Sequence, residues 1–259
     1  MCRFFSEESA KRNNSGLTGM ESFKAIFFEE LDSTNRFAMT NIADLEDKTV
    51  IFAAKQTDGY GRFKRKWVSD NANNLYCSIV LKPSQRSPVA NLTQYMSVII
   101  CEALETYGVN AEIKWPNDVL VNNKKIAGIL SEASVRGKTL KGLVLGVGVN
   151  LNFSSYDLEK IDQPATALNL EIDKLIDVRE FSDKLIEAFF KEYGSFMESG
   201  FEYIKHRYIS RCSFLGKEIS VKNFDTQQSG IASAINDDGT LLLETANKYQ
   251  TIRIGDLQF

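Results

Sequence analysis

Hydrophobic and polar positions near the start of the chain follow two different periods. Residues 24–31 (KAIFFEEL) form an apolar, strand-like run, and the DSTN segment at 32–35 contains only side chains that favour helix amino termini. Residues 36–43 (RFAMTNIA) then show helical spacing. The pattern therefore predicts a strand, a helix cap and a helix in succession.

The middle of the chain is rich in strand and hairpin signals. A long apolar-faced helix is predicted over residues 91–108 and ends at Gly108, and Asn122–Asn123 is the predicted tip of a hairpin. Strands are predicted at residues 49–57, 75–83, 125–135 and 140–153. This order favours an α+β fold, a mixed and mainly antiparallel sheet with helices on one face, over a doubly wound parallel sheet.

The last part of the chain differs in its predicted secondary structure, which changes from helices to short strands. Helical segments are predicted at about 178–209, and after Cys212 four short strand candidates follow one another, separated by tight turns such as NDDGT. Short alternating strands without a helix predict a small β-barrel. We therefore divide the chain into a polar tail at 1–22, a main domain at 23–211 and a barrel domain at 212–259.

Composition narrows the class of protein. With 31 Lys and Arg against 34 Asp and Glu, the overall charge does not fit a protein that coats nucleic acid, so any basic site is local. Cys2, Cys77, Cys101 and Cys212 lie far apart without a C-x-x-C pair, which indicates neither a zinc site nor a disulfide framework. No apolar run approaches the length of a membrane span. We expect a cytoplasmic protein with no membrane partner.

One basic segment, QTDGYGRFKRKW at 56–67, carries candidate chemistry. Glycines at 59 and 61 permit a close backbone approach to a ligand, but they also serve any tight turn. The cations at 62–66 fit equally a phosphate site and a solvated loop. Two further candidates also have ordinary structural explanations. Lys125 begins a strand and fits a surface lysine, and Asn150 ends another strand and fits a turn residue.

Taken together, DSTN, QTDGYGR, KWPND, KKIAGILSE and GVGVN, in this order and spacing, resemble the catalytic domain of biotin protein ligases. The resemblance covers about residues 24–259. It implies a class II synthetase-like mixed sheet with flanking helices, followed by an SH3-like barrel. It also implies that biotin is activated with ATP to biotinyl-5′-adenylate and transferred to a lysine of a carboxylase's biotin carboxyl carrier domain, with Mg²⁺ arriving on ATP.

The resemblance also assigns roles to individual residues. It places these residues at the biotin site: Ser33, Thr34, Asn35, Gln56, Gly59, Tyr60, Gly61, Arg62 and Lys125. It places these residues at the ATP or adenylate site: Arg62, Trp67, Lys114, Asn117, Lys125 and Asn150. Arg62 and Lys125 are the expected catalytic cations, because two anions, a carboxylate and a triphosphate, must meet during adenylation. Asp118 is a candidate for orienting or accepting charge in the transfer step.

The chain departs from the family pattern at Tyr60, where these enzymes usually have an arginine. Arg62 is then expected to be the more critical cation, and the role of Tyr60 stays open. His206, the only histidine, receives no role.

Two other functions stay open from the sequence. Lipoate–protein ligases share the fold and the adenylate logic, although their usual Arg-Arg-Gly-Gly-Gly run is missing here. A non-catalytic binding protein is also possible, with the basic loop as a nucleic-acid contact. Only about 25 residues precede the catalytic signatures, too few for a winged helix-turn-helix domain, so we expect a monofunctional ligase without operator binding. The oligomeric state stays open.

Overall fold

The computed structural model describes residues 23–84, 89–223, 226–246 and 248–258. The predicted tail at 1–22 lies outside these ranges. The larger of two sheets contains seven strands: β1 (Lys24–Leu31), β2 (Thr49–Gln56), β3 (Leu75–Leu81), β4 (Glu112–Lys114), β5 (Asp118–Val121), β6 (Lys124–Arg136) and β7 (Thr139–Val149).

The order in this sheet is β1-β2-β3-β7-β6-β5-β4. Only β1 and β2 pair in parallel; the other neighbours are antiparallel. The mixed, mainly antiparallel sheet predicted from the sequence is therefore confirmed. Asn122 and Asn123 turn the β5–β6 hairpin with φ angles of 51° and 62°, as the Asn-Asn pair predicted.

Within the described ranges, six α-helices connect the strands: α1 (Thr34–Thr40), α2 (Leu92–Glu105), α3 (Ser155–Leu158), α4 (Leu168–Ile172), α5 (Val178–Ser199) and α6 (Phe201–Ile209). Helices α2, α5 and α6 contribute to the main core on one face of the sheet. Helix α1 packs on the opposite face, where Ala38 contacts a small cluster that includes Ile51, Val80 and Val144. The prediction that all helices lie on one face was wrong for α1.

The alternation along the strands explains both layers. Val50 and Phe52 of β2 face the main core, whereas Ile51 between them faces α1. Successive side chains of a strand point to opposite faces, so a nearly continuous apolar strand can bury both sides. The sheet is thus covered on both faces around the middle strands.

The second sheet has five antiparallel strands: β8 (Glu218–Asn223), β9 (Thr226–Ile235), β10 (Leu241–Glu244), β11 (Tyr249–Ile252) and β12 (Asp256–Gln258). Their order is β11-β10-β9-β8-β12. The four predicted strands are present, and the three-residue β12 was missed because so short a segment shows no alternation.

The turn between β9 and β10 attaches the second sheet to the rest of the molecule. The carbonyl oxygen of Gly239 accepts hydrogen bonds from Gln94 Nε2 at 2.9 Å and from Trp115 Nε1 at 3.0 Å. Asn91 Nδ2 donates to the carbonyl of Asp238 at 3.0 Å. Leu243 and Leu257 of this sheet belong to the same apolar core as α2 and α5.

Three of the four cysteines lie within the described ranges. Cys77, Cys101 and Cys212 are buried and free, and burial raises the pKa of Cys77 and of Cys101 to about 12. Cys2 lies outside the described residues. No helix in the described part of the chain is long and apolar enough to cross a bilayer.

Candidate active site

A cavity lies between the amino terminus of α1, the strands β6 and β7, and the loop of residues 56–67, which we call the basic loop. Asp256 of the second sheet lines its outer edge. The cavity brings these predicted site residues together: Ser33, Thr34, Asn35, Gln56, Tyr60, Gly61, Arg62, Trp67, Asn117, Asp118 and Lys125. Gly59, Lys114 and Asn150 do not line it.

The α1 terminus supplies a polar wall. Ser33 caps the helix by accepting a hydrogen bond from the Arg36 N–H at 3.4 Å, as the DSTN segment predicted. Gln56, at the end of β2, accepts from the Thr34 N–H at 2.9 Å and from the Thr34 hydroxyl at 3.2 Å. The parallel pairing of β1 with β2 places the cap and Gln56 side by side.

Asn35 continues this wall into the sheet. Its Nδ2 donates to Glu132 Oε2 of β6 at 2.8 Å, and its Oδ1 lies 2.6 Å from the Ser78 hydroxyl. A Cβ atom added to Gly146 would lie only 2.2 Å from Asn35 Oδ1, so the side chain fits because residue 146 has none. Glu132 and Ser78 are polar residues of the site that the sequence interpretation did not select.

The basic loop folds as a small hairpin. Gly61 N–H donates to Arg65 C=O at 2.8 Å, and Trp67 N–H donates to Gly59 C=O at 2.9 Å. Phe63 and Lys64 at its tip have φ angles of 55° and 57°, so two non-glycine residues occupy the left-handed region. Gly59 is needed for space, because a Cβ there would lie 2.4 Å from Ser69 Oγ.

Trp67 ends the loop and lies flat against two paired glycines. Gly128 of β6 and Gly148 of β7 are register partners, and Cβ atoms there would come within 2.9 Å and 2.6 Å of the indole ring. Lys125 Nζ lies 5.4 Å from the indole centroid. The buried Trp67 Nε1 has no hydrogen-bond partner in the described structure. The glycines create a slot for this ring.

Three cations of the cavity, Arg62, Arg65 and Lys125, are paired with carboxylates. Arg62 donates to Asp256 Oδ1 at 2.8 Å and to Asn117 Oδ1 at 3.0 Å. Arg65 forms an ion pair with the other oxygen of Asp256 at 2.6 Å, and Lys125 forms one with Asp118 at 2.8 Å. Burial lowers the pKa of Arg62, while the charges of Asp256 and Asp118 oppose that shift.

Lys114 and Asn150 lie beside the cavity. Lys114 of β4 pairs in register with Asp118, and burial, together with the charges of Lys125 and Arg65, lowers its pKa despite Asp118. The Asn150 amide donates to the Thr166 carbonyl at 2.9 Å and lines a smaller neighbouring cavity, which Trp67 and Lys125 share. Asn150 therefore also has a structural task at the end of β7.

Tyr60 makes two contacts that the sequence did not indicate. Its hydroxyl donates to Glu132 Oε2 at 2.8 Å, and the Arg36 guanidinium lies 5.5 Å from its ring centroid. Burial raises the pKa of Tyr60, and the hydrogen bond to Glu132 raises it further. The side chain is thus a neutral hydrogen-bond donor at the sheet side of the basic loop.

Four residues of the site escaped the sequence interpretation for different reasons. Glu132 lies inside the segment KKIAGILSE and Arg65 lies in the basic loop, but the sequence interpretation assigned neither of them a specific role. Ser78 lies in an apolar strand. Asp256 comes from the second sheet, and nothing in its local sequence indicates that it reaches Arg62.

Comparisons with known proteins agree with this geometry. A family model described as the biotin/lipoate A/B protein ligase family matches residues 27–150. The chain is 32% identical over 215 residues to the bifunctional ligase/repressor BirA of Bacillus spizizenii, covering 81% of this chain and 66% of that protein, slightly less than two thirds. It is 32% identical over 239 residues to the biotin–[acetyl-CoA-carboxylase] ligase of Paracoccus denitrificans, covering 88% of this chain and 97% of that protein.

A solved structure extends the likeness to the fold. The biotin protein ligase from Aquifex aeolicus in complex with biotin and ATP superposes with a TM-score of 0.79 at 27% identity, covering 90% of this chain and 97% of that one. This agreement confirms the predicted fold class, a mixed sheet with flanking helices followed by an SH3-like barrel.

Proposed function

The chain belongs to the biotin/lipoate A/B protein ligase family, and we propose that it is a biotin protein ligase. It activates biotin with ATP to biotinyl-5′-adenylate and then transfers biotin to a lysine of a biotin carboxyl carrier domain. The observation that carries this proposal is the convergence of Arg62 and Lys125 on one cavity with the polar wall of α1. Its relatives named as biotin ligases support it.

The polar wall suits a ureido ring. Ser33, Thr34 and Asn35 are at most 4% exposed, and their hydroxyl and amide groups supply both donors and acceptors. A buried ring whose polar edges found no partners would lose about 1–3 kcal/mol for each one. The ring of biotin binds against this wall, with its carboxylate directed toward Lys125 and the basic loop.

Adenylation joins two anions. The biotin carboxylate attacks the α-phosphorus of ATP, the bond to the pyrophosphate leaving group breaks, and biotinyl-5′-adenylate remains. Arg62 and Lys125 offset the repulsion and stabilise the charge that develops at phosphorus, because their side chains are about four-fifths buried and little screened. Trp67 and Asn150 lie at the nucleotide end.

Within the described ranges, no three His, Cys, Asp or Glu side chains are grouped as a metal site. We assign Mg²⁺ to the ATP phosphates rather than to a protein cage. The loop's own pairs with Asp256 exchange for phosphate contacts when the nucleotide binds.

Transfer breaks the mixed anhydride. The carrier lysine amine attacks the biotinyl carbonyl, AMP leaves, and the amine loses its proton. Asp118 Oδ1 lies 2.8 Å from Lys125 Nζ. During transfer Asp118 orients Lys125 and stabilises the positive charge that develops on the attacking amine. The three buried thiols support a reducing compartment, and we place the reaction in the cytoplasm.

The decisive experiment incubates the purified protein with Mg-ATP, a biotin carrier domain, and either biotin or lipoate. We expect biotin-dependent pyrophosphate release and labelling of the carrier, and neither with lipoate. Lys125→Met is expected to lose pyrophosphate release, whereas Lys55→Met, an exposed lysine of β2, serves as the matched control. Labelling with lipoate alone selects the lipoate ligase, and no adenylation with either acid contradicts both enzymes.

A further inference from the structure

Tyr60 holds the basic loop to the body of the molecule on the side away from Asp256. Its hydroxyl reaches Glu132 of β6 across 72 sequence positions, at 2.8 Å. Its ring lies beside Arg36, which is itself paired with Asp32 at 2.9 Å and with Asp58 at 2.7 Å. The side chain is therefore constrained at its tip and along one face.

Glu132 connects this contact to the polar wall. The same oxygen, Oε2, accepts from Tyr60 OH and from Asn35 Nδ2, both at 2.8 Å. A carboxylate oxygen has two lone pairs and can accept both. Asn35 is fixed in turn by Ser78 and by the absence of a side chain at Gly146. A continuous hydrogen-bonded path thus joins the loop to the wall.

We infer that Tyr60 and Glu132 form a latch that keeps the basic loop closed over the bound acid and its adenylate. The inference deepens the proposed function and rests on it for the identity of the ligand. Tyr60 and Glu132 are positioning residues: neither needs to touch the reacting atoms, because the latch acts through the loop and through Asn35. The arginine usual in the family would place a cation here, whereas a tyrosine supplies a neutral donor.

The latch has a kinetic signature. Opening of the loop must break the bond between Tyr60 and Glu132, so the bond slows release of a ligand already in the cavity. Capture of a ligand also requires an open loop, so weakening the bond should not slow association. A hydrogen bond to a charged acceptor corresponds to roughly a tenfold change in a rate or equilibrium constant.

The first test compares the wild type with Tyr60→Phe, Glu132→Ala and the double variant. Dissociation of biotin and of preformed adenylate is followed by tryptophan fluorescence in a stopped-flow instrument. We expect release about tenfold faster in each single variant, with an association rate that is not reduced. Tyr249→Phe, an exposed tyrosine of the second sheet, is the matched control and should release at the wild-type rate.

The double variant separates a latch from two unrelated defects. If the two residues act through one bond, the double variant releases ligand no faster than the single variants. Glu132→Gln retains a neutral acceptor, so its release rate should lie between those of the wild type and Glu132→Ala. The latch would be overturned if the two single-variant increases in release rate multiplied in the double variant. It would also be overturned if the association rate fell as much as the release rate rose.

A second test needs no ligand. Trypsin cleaves after the cations of the basic loop, and such cleavage tracks the open fraction of a local segment. We expect cleavage after Arg62, Lys64 and Arg65 to be about tenfold faster in Tyr60→Phe than in wild type or in Tyr249→Phe. Equal cleavage rates would refute the latch even if biotin is the substrate, while faster cleavage in a protein that ignores biotin would refute the proposed function alone.

Discussion

Arg62 and Asp256 lie 194 positions apart in the sequence, yet their side chains meet at 2.8 Å over the edge of the cavity. Arg62 belongs to the basic loop and Asp256 to the last strand. The contact makes the second sheet a part of the site, because Arg65 pairs with the same carboxylate and Gly255 C=O accepts a further bond from Arg62 at 3.1 Å. Two cations of the loop, Arg62 and Arg65, are thus paired with one carboxylate.

Removal of this carboxylate should change how the protein responds to a nucleotide. Asp256→Ala leaves two cations with fewer anionic partners, so the melting temperature should fall by about 3–6 °C, equivalent to roughly 1–2 kcal/mol. ATP should raise it by more than in wild type, since phosphates then meet cations that no carboxylate occupies. Thermal scans with and without Mg-ATP measure both effects. Asp237→Ala, an exposed aspartate on the same sheet, is the control, and an unchanged response to ATP would contradict the exchange.

Arg62 should govern how long the adenylate stays bound. Arg62→Ala removes a largely buried guanidinium that the proposed function assigns to the adenylate phosphate, and charge-assisted bonds of this kind correspond to about 1.5–3 kcal/mol, or roughly 10–150-fold in release rate. Single-turnover release of labelled adenylate gives that rate. Lys64→Ala removes a charge from the exposed tip of the same loop and should have little effect. An adenylate release rate equal to wild type would remove Arg62 from this role.

Asp118 should matter for transfer more than for adenylate formation. With preformed adenylate, Asp118→Asn is expected to slow carrier labelling about tenfold or more, because the pair that orients Lys125 loses its charge. Rapid-quench measurement of carrier labelling separates this step from pyrophosphate release. Asp58→Asn, on the exposed side of the basic loop, provides the comparison. Wild-type labelling would exclude Asp118 from the chemistry.

The glycine slot beneath Trp67 should tolerate no side chain. A Cβ at Gly148 would lie 2.6 Å from the indole, so Gly148→Ala must displace Trp67 or the strand, at a cost of about 1–3 kcal/mol in the free energy of unfolding. Affinity for ATP in a calorimetric titration should drop at least tenfold. Gly194→Ala in α5 meets nothing within 4 Å and should stabilise the helix by about 1 kcal/mol, so it controls for the substitution itself. Unaltered ATP affinity in Gly148→Ala would show that the ring has no part in nucleotide binding.

Lys114 predicts a pH dependence of stability. Burial lowers its pKa below the ordinary 10.5, so the folded state holds this proton less tightly than the unfolded chain. Below the lowered pKa, Lys114 is charged in both the folded and the unfolded state, so burial of its charge destabilises the folded state fully. As the pH rises toward 10.5, the folded state releases the proton first and this destabilisation becomes smaller.

Lys114→Met should therefore raise the melting temperature at pH 7 by about 2 °C, a small value because solvent screens a half-buried group. The advantage over wild type should shrink as the pH rises toward 10.5. Lys124→Met, at an exposed position of β6, should show no such trend in the same denaturation series. If the difference in melting temperature between Lys114→Met and wild type grew with pH, it would contradict a lowered pKa of Lys114.

Local signals predicted the architecture well wherever a short segment of sequence determines its own secondary structure. The apolar runs of β2 and β7, the Asn122–Asn123 tip and the capping residue Ser33 are each specified by a short segment, and each occurs where the pattern placed it. The face on which α1 packs was not readable, because apolar residues occupy both faces of the middle strands.

The site was predicted only in part. The polar wall, Arg62 and Lys125 were indicated by the family resemblance, whereas Asp256 and Glu132 depend on contacts between distant elements that no local pattern encodes. The glycines of the basic loop were interpreted as permitting a close backbone approach to a ligand. In the structure the Gly61 N–H is bonded to Arg65, and Gly59 provides room for Ser69.

The anchorage at Gly239 limits how far the protein can be shortened. Asn91, Gln94 and Trp115 all send a side-chain donor into the β9–β10 turn, and all three are at most 9% exposed. Truncation before β8 would strand those donors in an apolar setting and uncover the core beneath Leu243 and Leu257, at a cost of several kcal/mol. We therefore expect that the seven-stranded sheet does not fold alone and that a minimal active fragment extends to the last strand.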